Sequence, residues 1–317
     1  GIFDSFKEDP ATCHIDIIGP TAKGATLEGS KEFAKGFMMR HNIPTARYKS
    51  ITADNLQEGL DFLASLEAPY VLKADGLCAG KGVLILPTLE EAQKELKEML
   101  DGMFGDASAT VVIEEFLSGI ECSVFVLTDG RNYKILPEAK DYKRIGEHDT
   151  GLNTGGMGTV APNPYYTPAI AERCMKEIFL PTIAAMNSED RTFQGCLYFG
   201  LMLTPDGPKV IEYNCRFGDP ETQVVLPLLE SDLLTIMQAT TNGTLADTEV
   251  RFSDKYACCV ITASAGYPVS YKKGFEITMT PEAAAHTYVA GAKLENGKLL
   301  TSGGRVTGTT AVAGSLA

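Results

Sequence analysis

The sequence contains no tryptophan and only four histidines, and its eight cysteines form no C-x-x-C pair. No Ser-His-Asp spacing and no zinc-ligand spacing occurs. The most apolar stretch, residues 256–271, is interrupted by Gly266 and Pro268, so no run of about 18 apolar residues could span a bilayer. These absences argue against a disulfide framework, a zinc site and a membrane protein. We expect reduced, mostly buried thiols in a cytoplasmic protein without a signal peptide.

Positive charge is also scarce. The chain has 28 Lys and Arg against 41 Asp and Glu, which gives a net charge of -13 at pH 7. Such a surface repels phosphate backbones and anionic lipids, so binding of nucleic acid or of a membrane surface is not expected. A few cationic side chains in a cleft could still bind a small anion. The 317 residues, 44% hydrophobic and 22% charged, predict a globular protein of two or three domains.

The order of predicted elements indicates an α+β (mixed α/β) fold. A long loop at 140–164 is expected to be functional or mobile. The predicted strands are 13–19, 47–51, 70–74, 82–86, 110–115, 121–128, 132–135, 194–203 and 209–214, with further strands after about residue 250. The predicted helices are 30–41, 55–66, 88–100 and 168–186, with helical segments after Pro220 and Asp232.

A glycine-rich turn joins two of these strands in the run VLKADGLCAGKGV at 71–83. Three residues separate Gly76 from Gly80 and no Ser or Thr follows Lys81, so the run is not a Walker A loop. Because it leads into a strand, it is not a dinucleotide fingerprint either. Its backbone N–H groups and lysines suit phosphate oxygens, and Lys73 is the sharper signal because an unpaired ammonium is costly in an apolar strand. The alternative is a snorkelling edge-strand lysine beside an ordinary turn.

Carboxylates end another strand, in the run VVIEEFLSGIE at 111–121. Backbone groups at the strand end could bind a flat base while Phe116 and Leu117 pack around it, and Glu121 could accept hydrogen bonds from ribose hydroxyls. A strand that emerges into solvent explains the same residues.

The run KVIEYNCRFGDPE follows the 194–203 strand and places Glu212, Asn214 and Arg216 on one face of an extended strand. A carboxylate and an amide oxygen two residues apart are hard ligands that suit Mg²⁺ held jointly with substrate phosphates. The arginine beside them offers a planar fork to a carboxylate or phosphate. The alternative is a solvated strand face, with Asp219 as the N-cap of the next helix.

A fourth run, DYKRIGEHDTGLNTGGMG at 141–158, combines basic residues with small ones. Such a loop could close over an anionic substrate. The alternative is a flexible surface loop in which His148 is simply exposed.

In order and spacing, LEGSK at 27–31, VLKADGLCAGKGV, VVIEEFLSGIE and IEYNCRFGDPE resemble the motifs of the ATP-grasp ligases. The runs FAKGFM, KDYKRIGEHDTGLNTGGMG and SGGRV resemble one family among them, the phosphoribosylamine-glycine ligases of purine biosynthesis. The resemblance covers residues 19–306, and the agreement of several long motifs in one order makes it specific.

The resemblance implies an ATP-grasp fold. It divides the chain into a remnant of an N-terminal α/β domain (1–29), an ATP-grasp region (30–250) and a small C-terminal β-rich domain (251–317). The ATP-grasp region would contain a lid subdomain at about 50–119 and a central catalytic subdomain at about 120–250. The family begins with a further strand and glycine-rich turn and ends with a helix, so we expect this chain to be incomplete at both ends.

The resemblance also implies roles for individual residues. Lys31 and Lys73 would contact the ATP phosphates, and residues 76–82, with Gly76, Gly80, Lys81 and Gly82, would form a flexible flap over them. Glu114, Glu115 and Leu117 would line the adenine site, and Glu121 would bind the ribose. Mg²⁺ or Mn²⁺ would be held by Glu212 and Asn214. Lys73 and Arg216 would be catalytic. The other substrates would face Asp141, Lys143, Asn153, Gly155, Gly156, Met157, Arg216 and Asp219.

The implied reaction joins glycine to 5-phosphoribosylamine through a glycyl phosphate, with ATP converted to ADP and phosphate. The expected partners are these small molecules, and the expected state is a monomer. Two alternatives remain open. One is another ATP-grasp carboxylate ligase of nucleotide metabolism with a different acid or amine, and the other is a non-catalytic ATP-binding module.

Overall fold

The computed structural model describes residues 1–76, 78 and 82–316. Its helices are α1 (Ile2–Glu8), α2 (Ala22–Gly29), α3 (Lys31–Arg40), α4 (Leu56–Ala64), α5 (Leu89–Glu98), α6 (Pro168–Cys174), α7 (Leu180–Ser188), α8 (Thr222–Val225), α9 (Leu233–Asn242) and α10 (Pro281–Ala285). Its first nine strands are β1 (Tyr48–Ile51), β2 (Tyr70–Ala74), β3 (Val83–Leu86), β4 (Val111–Glu115), β5 (Ile120–Thr128), β6 (Tyr133–Ile135), β7 (Lys140–Asp141), β8 (Arg144–Gly146) and β9 (Thr150–Asn153). The remaining strands are β10 (Gly158–Ala161), β11 (Gly195–Thr204), β12 (Gly207–Asn214), β13 (Tyr256–Ala263), β14 (Thr287–Val289), β15 (Ala292–Glu295), β16 (Lys298–Thr301) and β17 (Arg305–Ala313).

The prediction of a buried strand at 13–19 is wrong. These residues form turns and irregular backbone, and Ile15 and Ile18 are 41% and 40% exposed. A strand needs a neighbour that binds its backbone groups. Here the carbonyl oxygens of Cys13 and Ile15 instead accept hydrogen bonds from the ammonium group of Lys7. The apolar run therefore does not form a strand, because no sheet among the described residues includes it.

Four antiparallel strands in the order β1-β4-β2-β3 form what we call the small sheet. Alternate residues of β2 point to opposite faces. Leu72 and Ala74 pack with Leu63 of α4 and Leu96 of α5 in a hydrophobic core. Lys73 consequently points away from that core, towards the rest of the molecule.

A second antiparallel sheet, the central sheet, has the order β12-β11-β5-β6. On one face, Val124 and Val126 of β5 pack with Phe37 of α3 and with residues of α7. On the other face, Phe125 and Leu127 pack in a second core that includes residues of α8 and α9. Both faces of β5 are thus buried, which accounts for its unbroken apolar sequence.

A third sheet, the outer sheet, has the order β14-β17-β13-β10-β7. It corrects the prediction of a loop throughout 140–164, because β7 and β10 lie in it and β8 and β9 form a separate hairpin. Because this segment is rich in glycine, its sequence does not show the alternation of apolar and polar residues that predicts a strand. β10 is a strand because it pairs with β13, with Gly158 opposite Val260. In the part of the chain that the structure describes, no helix is long and apolar enough to cross a membrane.

Candidate active site

A cavity of about 430 Å³ lies between the small sheet and the central sheet. Its size falls within the roughly 300–1,000 Å³ of typical ligand pockets. The predicted site residues that line it are Lys31, Lys73, Gly82, Glu114, Glu115, Leu117, Glu121, Asp141, Lys143, Asn153, Gly155, Glu212, Asn214, Arg216 and Asp219. Three other predicted residues within the described ranges do not line it, namely Gly76, Gly156 and Met157. Gly80 and Lys81 lie outside the described residues.

The small-sheet wall of the cavity carries a buried cluster of three charges. The carboxylate of Glu114 lies 2.9 Å from the ammonium of Lys73 through Oε1 and 2.9 Å from that of Lys35 through Oε2. Burial lowers the pKa of Lys35 to about 8, against the attraction of Glu114. Burial also opposes ionisation of Glu114, but the two ammonium groups outweigh it and hold the pKa of Glu114 below its ordinary value. The expectation that Lys73 lacks a protein partner is therefore wrong, because the neighbouring strand supplies one.

Lys31 begins α3 and reaches the end of β2. Its ammonium donates hydrogen bonds to the carbonyl oxygens of Ala74, Asp75 and Gly76 at 2.8, 3.3 and 3.2 Å. Burial lowers the pKa of Lys31. This lysine therefore ties the base of the glycine-rich turn to the helix and lies in the same cavity as Lys73.

The end of β4 supplies the next part of the wall. Glu115 lines the cavity and forms an ion pair with Arg47, whose Nε lies 2.8 Å from its Oε2. Phe116 and Leu117 follow it and line the cavity with apolar atoms. A flat apolar ligand could thus contact these side chains and the adjacent backbone.

Carboxylates of the central sheet converge on one cation at the opposite wall. The ammonium of Lys143 lies 3.2 Å from Oε2 of Glu121 and 3.9 Å from Oε1 of Glu212. Burial disfavours the charged lysine, but these two carboxylates outweigh it and raise the pKa of Lys143 well above its ordinary value. The described residues contain no group of three or more His, Cys, Asp or Glu side chains arranged to hold a metal ion by themselves.

The strand end after Glu212 is fixed by Glu28 of α2. Its Oε1 lies 3.1 Å from Nε of Arg216, and its Oε2 accepts a hydrogen bond from the Cys215 N–H at 2.6 Å. The amide of Asn214 is best assigned with its nitrogen towards Glu28 Oε1, at 3.2 Å, and the Tyr213 carbonyl oxygen, at 3.3 Å. Glu28 is not among the residues predicted from the sequence, although it lies within the LEGSK motif.

The floor of the cavity contains two buried carboxyl groups. Oε1 of Glu221 accepts hydrogen bonds from the hydroxyl groups of Ser123 and Tyr198 at 2.9 and 3.0 Å. Burial, aided by the charge of Glu221, raises the pKa of Asp141 to about 8. Gly156 lies against this carboxyl, since a Cβ placed there would be 2.8 Å from Oδ1 of Asp141.

Two further predicted residues have structural partners. Met157 binds through its backbone, with its N–H donating to Tyr142 and its carbonyl oxygen accepting from Ile261. Asp219 does not cap the following helix, whose N-cap is Glu221. Its carboxylate instead lies 3.2 Å from Nη1 of Arg305.

Residues 29–222 match the family model described as phosphoribosylglycinamide synthetase, ATP-grasp (A) domain, and residues 257–317 match that described as phosphoribosylglycinamide synthetase, C domain. The chain belongs to the phosphoribosylamine-glycine ligase family. A ligase of that name from Pasteurella multocida is 46% identical over 98% of this chain and 72% of its own length. A bifunctional purine biosynthetic protein from Pichia angusta is 50% identical over 95% of this chain, which spans 39% of that protein.

A solved structure of the phosphoribosylamine-glycine ligase from Thermotoga maritima superposes with a TM-score of 0.84 at 37% identity, covering 94% of this chain and 75% of that one. These matches confirm the predicted ATP-grasp fold and the predicted ligase family of purine biosynthesis. ATP-grasp enzymes use ATP with divalent metal ions.

Proposed function

We propose that this chain, within the complete enzyme, joins glycine to 5-phosphoribosylamine and converts ATP to ADP and phosphate. The observation that carries the proposal is the cavity between the two sheets. It brings Lys31 and Lys73 together with the carboxylates of Glu121 and Glu212 in a member of this ligase family.

In this proposal the nucleotide lies along the small sheet. The cluster of Lys35, Glu114 and Lys73 has two positive charges and one negative, so it favours an anion beside Lys73. The ATP phosphates supply that anion, and Lys31 lies beside them. The adenine then lies against Leu117 and the end of β4, with Glu121 at the ribose.

Glu212 and Asn214 fit a Mg²⁺ or Mn²⁺ ion, because they offer hard oxygen ligands and the Glu212 carboxylate already faces a cation, the ammonium of Lys143. We propose Glu212 and Asn214 as its protein ligands, with phosphate oxygens completing the coordination. When bound, the metal would offset the negative charge of the phosphoryl group.

The proposed chemistry has two steps. An oxygen of the glycine carboxylate bonds to the γ-phosphorus as the bond to ADP breaks, and Lys73 and Arg216 stabilise the charge that the phosphoryl oxygens carry. The amine nitrogen of phosphoribosylamine then attacks the carbonyl carbon of the glycyl phosphate, phosphate leaves with the bonding electrons, and the amine loses one proton. Water must be excluded between the steps, which gives the turn at 76–82 and the loop at 151–158 a role as lids.

The domain division remains part of the proposal. The small sheet and its helices would form the lid subdomain at about 50–119, the central sheet would lie in the subdomain at about 120–250, and 251–317 would be the C-terminal domain. A monomeric state and a cytoplasmic location are likewise proposed from the sequence.

Full-length protein incubated with ATP, Mg²⁺, glycine and freshly made phosphoribosylamine tests the function through release of ADP. We expect sustained release only when both substrates are present. A requirement for another acid or amine would identify a different ligase, and ATP binding without turnover would identify a binding module. With hydroxylamine in place of the amine, formation of glycine hydroxamate would reveal the acyl phosphate.

A further inference from the structure

Two side chains of the C-terminal region meet at one glycine of the loop that faces the cavity. Nη1 of Arg305, at the start of β17, lies 2.8 Å from the carbonyl oxygen of Gly155. The hydroxyl of Tyr267, which follows β13, accepts a hydrogen bond from the N–H of Gly155 at 3.0 Å. Both backbone groups of this residue are therefore bound by side chains of the C-terminal region.

The same guanidinium also binds the segment after β12. Nη1 of Arg305 lies 3.2 Å from the carbonyl oxygen of Asp219 and 3.2 Å from its Oδ1, and 3.5 Å from the carbonyl oxygen of Gly156. One arginine thus joins two separate segments that line the cavity. A charge-assisted contact of this kind is stronger than a neutral hydrogen bond.

Glycine is required for these contacts at two places. A Cβ at Gly155 would lie 2.9 Å from Cζ of Arg305, too close for any real contact. A Cβ at Gly304 would overlap the ring of Tyr267, which lies against that backbone. The backbone is therefore shaped to let both side chains approach the loop.

The contact at Gly155 extends into the cavity through its neighbour. Thr154 donates hydrogen bonds to the carbonyl oxygen of Lys143 from its N–H at 2.8 Å and from its hydroxyl at 2.7 Å. Lys143 in turn lies between Glu121 and Glu212. Arg305 and Tyr267 do not themselves line the cavity formed by the described residues.

We propose that Arg305 and Tyr267 are positioning residues. They hold Gly155, and through Thr154 they hold Lys143, in the arrangement that binds glycine and the amine substrate. The proposal rests on the function proposed above, because it assigns the substrates other than ATP to this side of the cavity. The adenine is proposed to lie against Leu117 and the end of β4, whereas Lys143 reaches the nucleotide only through Glu121, so loss of either residue should affect ATP binding less than binding of the other substrates.

The test uses full-length Tyr267→Phe and Arg305→Lys variants. Tyr271→Phe is the matched control, because that ring packs beside Tyr267 and its hydroxyl makes no hydrogen bond within the described residues. We expect KM for glycine or for the amine to rise roughly tenfold in Tyr267→Phe, the effect of about one hydrogen bond, while KM for ATP stays within about twofold. Arg305→Lys keeps the charge beside Asp219 but loses the guanidinium reach, so a smaller rise of the same pattern is expected.

Hydrogen exchange of the loop at 153–158 gives a readout that does not depend on turnover. Exchange should be faster in both variants than in the wild type and the control. Unchanged exchange and unchanged KM values in both variants would overturn the positioning role, as would an equal rise in all three KM values, which indicates general loss of structure. Faster exchange in the two variants, combined with a wild type that has no ligase activity with these substrates, would instead reject the proposed function and the substrate assignment with it.

Discussion

The ammonium of Lys73 lies 2.9 Å from Oε1 of Glu114, and both side chains are buried. Lys35 binds the other oxygen of the same carboxylate. The three charges do not cancel, because one positive charge is left over. Removing one lysine therefore leaves a balanced ion pair, whereas removing the carboxylate leaves two positive charges without a counter-charge.

Replacing Glu114 should destabilise the fold more than replacing Lys73. Glu114→Gln leaves two buried ammonium groups without a counter-charge, for which we expect a loss of about 3–5 kcal/mol in the free energy of unfolding. Lys73→Met leaves a balanced pair, so its unfolding free energy should fall by less than about 1.5 kcal/mol or even rise, while ATP affinity drops. Urea unfolding and calorimetric titration with ATP measure both quantities. Equal destabilisation by the two variants would contradict the role of the excess charge.

Asp141 should make stability depend on pH. Its pKa is raised to about 8 in the folded protein, whereas the unfolded chain releases this proton near pH 4. Between these values the folded state binds more protons than the unfolded state, so the stability that this group contributes at low pH is lost as pH rises towards 8. Asp141→Asn should remove this slope, gaining up to about 1.4 kcal/mol per pH unit relative to the wild type. Urea unfolding at several pH values measures it, with Asp254→Asn, at an exposed position, as the control.

The Glu212→Gln variant tests whether Glu212 is a metal ligand or only part of a solvated strand face. The amide keeps the size of the side chain but removes the anionic ligand, so turnover should collapse or the Mg²⁺ midpoint should rise at least about tenfold, while the unfolding transition stays in place. Ligase assays across a Mg²⁺ titration measure this, with the exposed Glu249→Gln as the control. Wild-type turnover at an unshifted midpoint would leave the solvated face as the better explanation. Asn214→Asp keeps an oxygen ligand, so its effect should be milder.

Gly156→Ala should disrupt the loop. The residue has a φ of 112°, and an added Cβ would overlap Pro220 and press on the Asp141 carboxyl. We expect a loss of about 2 kcal/mol or more in the free energy of unfolding. Gly29→Ala is the control, because a Cβ there meets no atom within 4 Å and the residue lies in a helix. A Gly156→Ala protein as stable as this control would show that the loop shifts freely.

The sequence correctly predicts those helices and strands whose own pattern of apolar residues indicates which side chains are buried. The strands around Leu72, Ile113 and Phe199 were found because each is a short apolar run that is buried in the structure. In α3, Phe33 and Phe37 are four residues apart, the spacing of one helix face, and they stack at 6.1 Å between ring centroids. In these cases the local pattern and the final environment agree.

The predictions that failed depend on distant parts of the chain. β10 is a strand because β13 lies beside it, and residues 13–19 are not a strand because none of the described strands pairs with them. The partner of Lys73 could not be found by local reasoning, since Glu114 lies on a different strand. Lys35 was missed too, yet it offered a signal, because it is a lysine between Ala34 and Phe37 on the buried face of α3.

The outer sheet has a consequence for the order in which the protein can be made. β10 pairs with β13, and β13 pairs with β17, which lies far along the chain from the small sheet and is synthesised after it. Non-local pairs of this kind form late, because the chain between them must first be closed into a loop. A nascent chain could therefore complete the small sheet and its lysines early, while the loop at 151–158 waits for residues that have not yet been synthesised. The two sides of the cavity would therefore fold at different times. A chain whose synthesis stops before β17 would fold the nucleotide side of the cavity but not the side formed by the loop at 151–158.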